Sequence, residues 1–135
     1  MVQATVRWPT RMAGFVAWDA DARIGAVTYE IVGDACEIVT LNALVESRGV
    51  GSALLVAVHE AARMADCRRV WLITTNDNLR ALGFYQRRGY HLAAVHRDAI
   101  ERDRALKPQI PLIGENHIPL RDEIELEYLL TSPDA

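Results

Sequence analysis

The chain is 135 residues long, 50% apolar and 24% charged, with a formal net charge of −3. This is ordinary globular composition at the length of one domain, which excludes a disordered chain and a small disulfide-stapled scaffold. No face-wide run of Lys and Arg appears, so neither a nucleic acid nor a membrane surface is expected as partner, since both need a basic footprint.

Residues 2–8 can supply a first strand. Phe15-Val16-Ala17-Trp18 is a short apolar strand, and residues 19–23 are turn-like. Residues 24–31, rich in Val, Ile, Thr and Tyr, make the next strand. Gly33 and Asp34 sit at the tip of a tight hairpin because both tolerate positive φ, and residues 37–41 form its returning strand. The period then changes. From Val50 to about Met64, apolar Leu54, Leu55, Val58, Ala61 and Ala62 recur at helical spacing around His59, Glu60 and Arg63. Residues 70–74 are a continuous apolar run, as in a strand buried on both faces.

Residues 75–78 form a loop that can cap a second helix, 79–88, stopped by Gly89. Residues 90–95 read as another strand. Asp98-Ala99-Ile100-Glu101 has the pattern of a capping box for a short helix to about Leu106. A loop punctuated by Pro108, Pro111 and Pro119 leads to a closing strand, 124–130. The order β-β-β-α-β-α-β-(α)-β predicts an α/β or α+β fold with a mixed sheet. Cys36 and Cys67 form neither a Cys-x-x-Cys pair nor a disulfide framework, and are expected as reduced thiols of a cytoplasmic protein. Residues 1–7 lack the pattern of a secretory leader, and no apolar stretch approaches membrane-spanning length.

Chemistry is sought at Glu46-Ser47-Arg48-Gly49-Val50-Gly51, where the third strand of the meander hands over to the first helix. A helix N-terminus presents unpaired N–H groups and the positive end of the dipole, and so attracts phosphate. Gly49 and Gly51 let the backbone approach an anion, and Ser52 adds a hydroxyl donor. Alone, the segment is equally a plain tight turn. The Lys of a P-loop is missing. A dinucleotide fingerprint lacks its third glycine, where Leu54 stands, although Asp77 after the next strand has the place of a ribose-binding acid.

A second segment, Asn78-Leu79-Arg80-Ala81-Leu82-Gly83-Phe84-Tyr85 followed by Gly89-Tyr90, lies one helix and one strand after the glycine turn. Together the two resemble motifs A and B of the GNAT superfamily of N-acetyltransferases, over roughly residues 14–95. Motif A is Gln/Arg-x-x-Gly-x-Gly/Ala, and Glu46 departs from its first letter; motif B, Asn-x-x-Ala-x-x-x-Tyr closed by Gly-Tyr, is matched throughout.

The resemblance implies a mixed, mostly antiparallel sheet flanked by helices, with residues 1–135 as a single acetyltransferase-like domain. It implies acetyl-CoA as co-substrate, its pyrophosphate on the backbone from Arg48 through Gly49, Val50 and Gly51 to Ser52. Pantetheine is expected to enter a gap between the strands at 37–41 and 70–74, bonded by backbone groups of Leu41 and Asn42, with Asn78 nearby. Asn78 read by itself is a helix cap, and both roles are compatible.

Tyr85 stands where the family usually draws the acid that protonates the departing thiolate; its other reading is a core tyrosine. Glu37 is the candidate base, since it lies in the strand that often supplies one and interrupts an apolar run. A two-residue turn at Gly33-Asp34 sets Glu37 opposite Glu30, and adjacent carboxylates raise one another's pKa. The alternative is two solvated carboxylates near a hairpin end. Arg80, Arg87 and Arg88 are candidates for the coenzyme's phosphates or simply the helix's wet face. The histidines lack metal-ligand spacing, and no metal is expected.

GNAT domains usually have two helices between the first strand and the meander, and the residues before Phe15 leave no room for them. The acceptor side is then open, or completed by the loop at 106–121 or by a second subunit, as in a homodimer. Two functions follow. One is an N-acetyltransferase acting on a primary amine of a small molecule or peptide; the other is a non-catalytic acyl-CoA-binding module that works with a partner protein.

Overall fold

A computed structural model of the chain describes residues 2–7 (backbone only), 12–43 and 49–130. The chain clusters into two compact units, Met1–Trp71 with Leu129–Ala135, and Leu72–Tyr128. Seven strands and three α-helices occur among the described residues. None of these helices is long and apolar enough to cross a membrane.

The first unit is built on a meander of β1 (Val2–Arg7), β2 (Ala13–Asp19), β3 (Ala22–Val32) and β4 (Ala35–Ala43), each antiparallel to the next. Only residues 8–12 separate β1 from β2. The β3–β4 hairpin turns on Gly33 and Asp34, with Gly33 at φ 61°, as the two-residue turn requires. Register then pairs Glu30 with Glu37 and Ile31 with Cys36. Between Tyr29↔Ile38 and Thr28↔Thr40 the register shifts, leaving Val39 as an extra residue in β4.

Helix α1 (Val50–Met64) covers one face of this sheet. Its buried Val50, Leu54, Leu55, Val58 and Ala62 recur at helical spacing, and Ala17, Ile24, Val27, Cys36 and Ile38 are buried residues of the meander beside it. Burying an aliphatic side chain of this kind stabilises by about 1.5–3 kcal/mol. The approach is close at Gly25, where a Cβ would lie 2.7 Å from Val50 Cγ1 and 2.9 Å from the Asn42 carbonyl oxygen. After α1, β5 (Arg69–Thr75) begins parallel to β4, with Ala35, Cys36 and Glu37 paired to Arg69, Val70 and Trp71.

The second unit takes up the rest of β5 and continues through α2 (Leu79–Arg87), β6 (His91–His96), α3 (Ala99–Leu106) and β7 (Glu123–Leu129), in strand order β5-β7-β6. Its core sets an aromatic cluster beside buried Leu72, Ile100 and Leu126. Tyr85 meets Phe84 and Tyr90 edge-on with centroids 5.0 and 5.2 Å apart, and Tyr90 meets Tyr128 at 5.5 Å. Tyr90, expected to open a strand, lies just before β6 and is buried. Gly89, at φ 93°, follows the cap of α2 as expected. The capping box at Asp98 does not form. Asp98 adopts a left-handed φ of 61° without a side-chain cap, while its amide donates to the Asp122 carboxylate at 2.8 Å.

Candidate active site

Glu46, Ser47 and Arg48 lie outside the described residues. The rest of the glycine turn is clear. Gly49 precedes α1 at φ 71°, a left-handed conformation that costs a residue with a Cβ roughly 1–2 kcal/mol. Nothing lies within 4 Å of a Cβ built there, so the need for glycine is conformational rather than steric. The first helical bond runs from Ala53 N to the Gly49 carbonyl at 3.0 Å. Val50 and Gly51 therefore present first-turn amides that a helix leaves without intrahelical acceptors, Ser52 follows them, and no acidic residue stands in that turn. An anion fits this electrostatically.

Leu41 and Asn42 lie in β4 beyond the residues paired with β5, half-buried and exposed respectively. Glu37 is the last β4 residue in the parallel ladder, two positions before the extra residue Val39. Partial burial and, less strongly, the Glu30 carboxylate raise its pKa above the ordinary value. A carboxylate so placed takes up a proton more readily than a solvated one.

In the second unit Asn78 caps α2. Its Oδ1 accepts from Ala81 N at 3.1 Å, and its Nδ2 donates to Thr74 Oγ1 at 3.1 Å. One lone pair and one N–H of that amide remain for a ligand. Tyr85 is 6% exposed, and burial raises its phenol to about 12. Arg88 donates to the Phe84 carbonyl at 2.9 Å with its guanidinium 3.7 Å from the Phe84 ring centroid. Arg80 and Arg87 are exposed.

Asp77 has a different part from the ribose-binding one its position suggested. Its carboxylate accepts from Thr75 Oγ1 at 2.5 Å and from Glu115 N at 2.8 Å, so both oxygens serve the protein itself. Glu115 lies 38 residues along the chain, and nothing local in the sequence signals the contact. His59 is half-buried and held neutral: burial, then the neighbouring Arg63, lowers its pKa to about 4. His117 lies in a single 3-10 turn, Glu115–His117, in the Pro-punctuated loop. A groove of about 710 Å³ runs along α1, lined by Phe15, Tyr29, Val56 and Met64 with Glu60 at its wall. It holds none of the candidate residues.

A family model described as "Acetyltransferase (GNAT) family" matches residues 3–90. The uncharacterized protein YdhI of Bacillus subtilis is 51% identical over 112 residues, 82% of this chain and 70% of that protein. YxbD of the same organism, likewise uncharacterized, is 46% identical over 108 residues, 80% and 68% of the two chains. Among solved structures, a Bacillus subtilis acetyltransferase in complex with CoA superposes with a TM-score of 0.76 at 26% identity, over 90% of this chain and 78% of that one. A GNAT acetyltransferase from Elizabethkingia anophelis with acetyl-CoA bound gives 0.77 over 89% and 77%; at 20% identity it shows the shared fold.

Proposed function

The chain belongs to the GNAT acetyltransferase family, and we propose that it is an acetyl-CoA-dependent N-acetyltransferase acting on a primary amine of a small molecule or peptide. The observation that carries this reading is the carboxylate of Glu37, paired with Glu30 and raised above its ordinary pKa. An ammonium has no lone pair, so an amine acceptor requires a base, whereas a module that only binds the coenzyme does not.

The coenzyme is taken to be acetyl-CoA, a reading supported by the CoA held by the related Bacillus subtilis acetyltransferase. Its pyrophosphate is assigned to the amides of Gly49, Val50, Gly51 and Ser52, joined by Arg48 as the motif implies. Its pantetheine arm is assigned to the backbone of Leu41 and Asn42 and to Asn78. Glu37 takes the proton of the incoming ammonium. The freed nitrogen lone pair then forms the N–C bond to the thioester carbonyl carbon, and the C–S bond breaks with its electrons going to sulfur. Tyr85 donates its phenolic proton to that sulfur, and the acylated nitrogen, cationic after the attack, gives up its second proton to the phenolate through solvent, leaving a neutral amide and a neutral thiol. A phenol at about 12 arrives fully protonated at neutral pH. No step calls on a metal. The buried thiols Cys36 and Cys67 suit a reducing, cytoplasmic setting.

Steady-state thiol release from acetyl-CoA is the test, run with a polyamine, an aminoglycoside and a dipeptide bearing a free amino terminus. Turnover with at least one amine is expected. Measurable acetyl-CoA binding with no turnover on any of them would instead favour a binding module.

A further inference from the structure

Strand β6 ends the sheet order, so among the described residues its outer edge carries backbone N–H and C=O groups that no strand pairs. The strand reads His91-Leu92-Ala93-Ala94-Val95-His96 and contains no Lys, Asp, Glu or Pro, the residues that commonly blunt such an edge. On its inner side it pairs with β7. The register shifts between Leu92↔Leu126 and Ala94↔Glu125, leaving Ala93 as an extra residue.

Leu92 and Val95, three positions apart, would point to opposite faces of an unbroken strand. The extra residue instead sets them opposite Leu126 and Ile124, which lie two positions apart in β7 and so share a face. That is the core face, since Leu126 is fully buried, yet Leu92 and Val95 at the edge are 53% and 62% exposed. His91, Ala94 and His96 take the other face, opposite Glu127, Glu125 and Glu123.

Both the residue types and this order of faces read the same in either direction along the strand. A two-fold axis between Ala93 and Ala94 lays β6 antiparallel to a second copy of itself, with Leu92 opposite the partner's Val95 and Val95 opposite the partner's Leu92. Each apolar side chain then meets another on the core face, His91 meets the partner's His96 on the polar face, and alanines stand at the centre. A bulge turns an edge away from regular strands, which must leave Ala93 unpaired as β7 does, whereas a second copy carries the matching irregularity. We propose that β6 is the self-association edge of this chain, pairing with β6 of a second copy to continue the sheet across the axis. Six residues a side is a small patch beside the roughly 800 Å² per partner of a standard interface, so the dimer is reversible. The contact is independent of the acyl-transfer chemistry.

Sedimentation velocity of the full chain over about 1–100 µM, the range in which a small interface associates, is the test. Wild type is expected to shift from monomer to dimer. Leu92→Lys or Val95→Glu alone alters both symmetric contacts, and each should weaken the homodimer roughly a hundred-fold, about ten-fold per contact. Mixing the two variants should restore dimers, because one contact of the heterodimer joins the two new opposite charges and the other is the native Leu92–Val95 pair. Far-UV circular dichroism and acetyl-CoA affinity should stay at wild-type values, since both side chains are exposed. In the wild type, β6 amides should exchange hydrogen more slowly as concentration rises, while those of β1, at the other end of the sheet, should not change. A chain that stays monomeric over this range, a dimer indifferent to both substitutions, or a mixture that fails to associate overturns the proposal. If either variant fails to fold, wild-type exchange decides, and β6 protection that does not rise with concentration overturns it.

Discussion

Gly25→Ala probes how the sheet sets the position of the coenzyme turn. The new Cβ would lie 2.7 Å from Val50 Cγ1, 2.9 Å from the Asn42 carbonyl oxygen and 3.2 Å from Leu54 Cδ1. Carbon atoms rest at about 3.5–4.0 Å, so something must yield. The Asn42 carbonyl belongs to the β4 backbone, leaving the start of α1 as the part that moves. Overpacking of this kind costs typically 1–3 kcal/mol. At about 2 kcal/mol, the melting temperature of a chain this size falls by roughly 6–10 °C.

The same displacement shifts the amides of Val50, Gly51 and Ser52, to which the pyrophosphate is assigned. Weakening one charge-assisted hydrogen bond by about 1.4 kcal/mol raises Kd ten-fold. Gly33→Ala is the control. Gly33, unlike Gly25, has positive φ, and a Cβ there meets nothing within 4 Å, so the variant loses stability through strain alone. Thermal unfolding and acetyl-CoA titration calorimetry on both variants are the assays. Gly25→Ala should lose stability and affinity together, and Gly33→Ala stability only. An unchanged acetyl-CoA Kd in destabilised Gly25→Ala would refute the argument that this glycine sets the coenzyme turn.

Tyr85→Phe should lower kcat about a hundred-fold, as loss of a general acid does, with acetyl-CoA affinity nearly unchanged; equal losses in both would make the phenol structural. The acidic limb of the pH–rate profile reports Glu37, which must be ionised to act. Glu30→Gln removes the smaller of the two causes that raise Glu37, so the limb should move to lower pH yet stay above an ordinary carboxylate, because burial remains. A limb unmoved by Glu30→Gln and surviving Glu37→Gln would remove Glu37 as base. His59 has its folded pKa lowered to about 4, so the unfolded chain binds the extra proton first as pH falls. Stability should therefore decline from about pH 6.5 towards pH 4, and His59→Gln should flatten that decline in urea unfolding.

Local features were legible where the sequence alone dictates them. The α1 limits follow from a period of 3.6 and a glycine, and the Glu30–Glu37 pairing follows from a two-residue turn. Asn78 caps α2 because its amide reaches Ala81 three residues on. Distant contacts overrode or added to the rest. Asp98 fails to cap α3 because Asp122, 24 residues away, takes its amide and its backbone turns left-handed. The part of Asp77 is not legible locally because its partners, Gly114 and Glu115, are far along the chain. The extra residue at Val39 depends on the register of β3 and β4 and leaves no mark in composition. Gly25 reads as one more strand residue until α1 is laid over it.

Mass spectrometry of a reaction containing acetyl-CoA and the best panel amine tests direct acetyl transfer to nitrogen. One acetyl group on the amine, one equivalent of free CoA and an unmodified protein are the predicted products. Acetyl found on the protein itself, or CoA released with no acetylated amine, would contradict it.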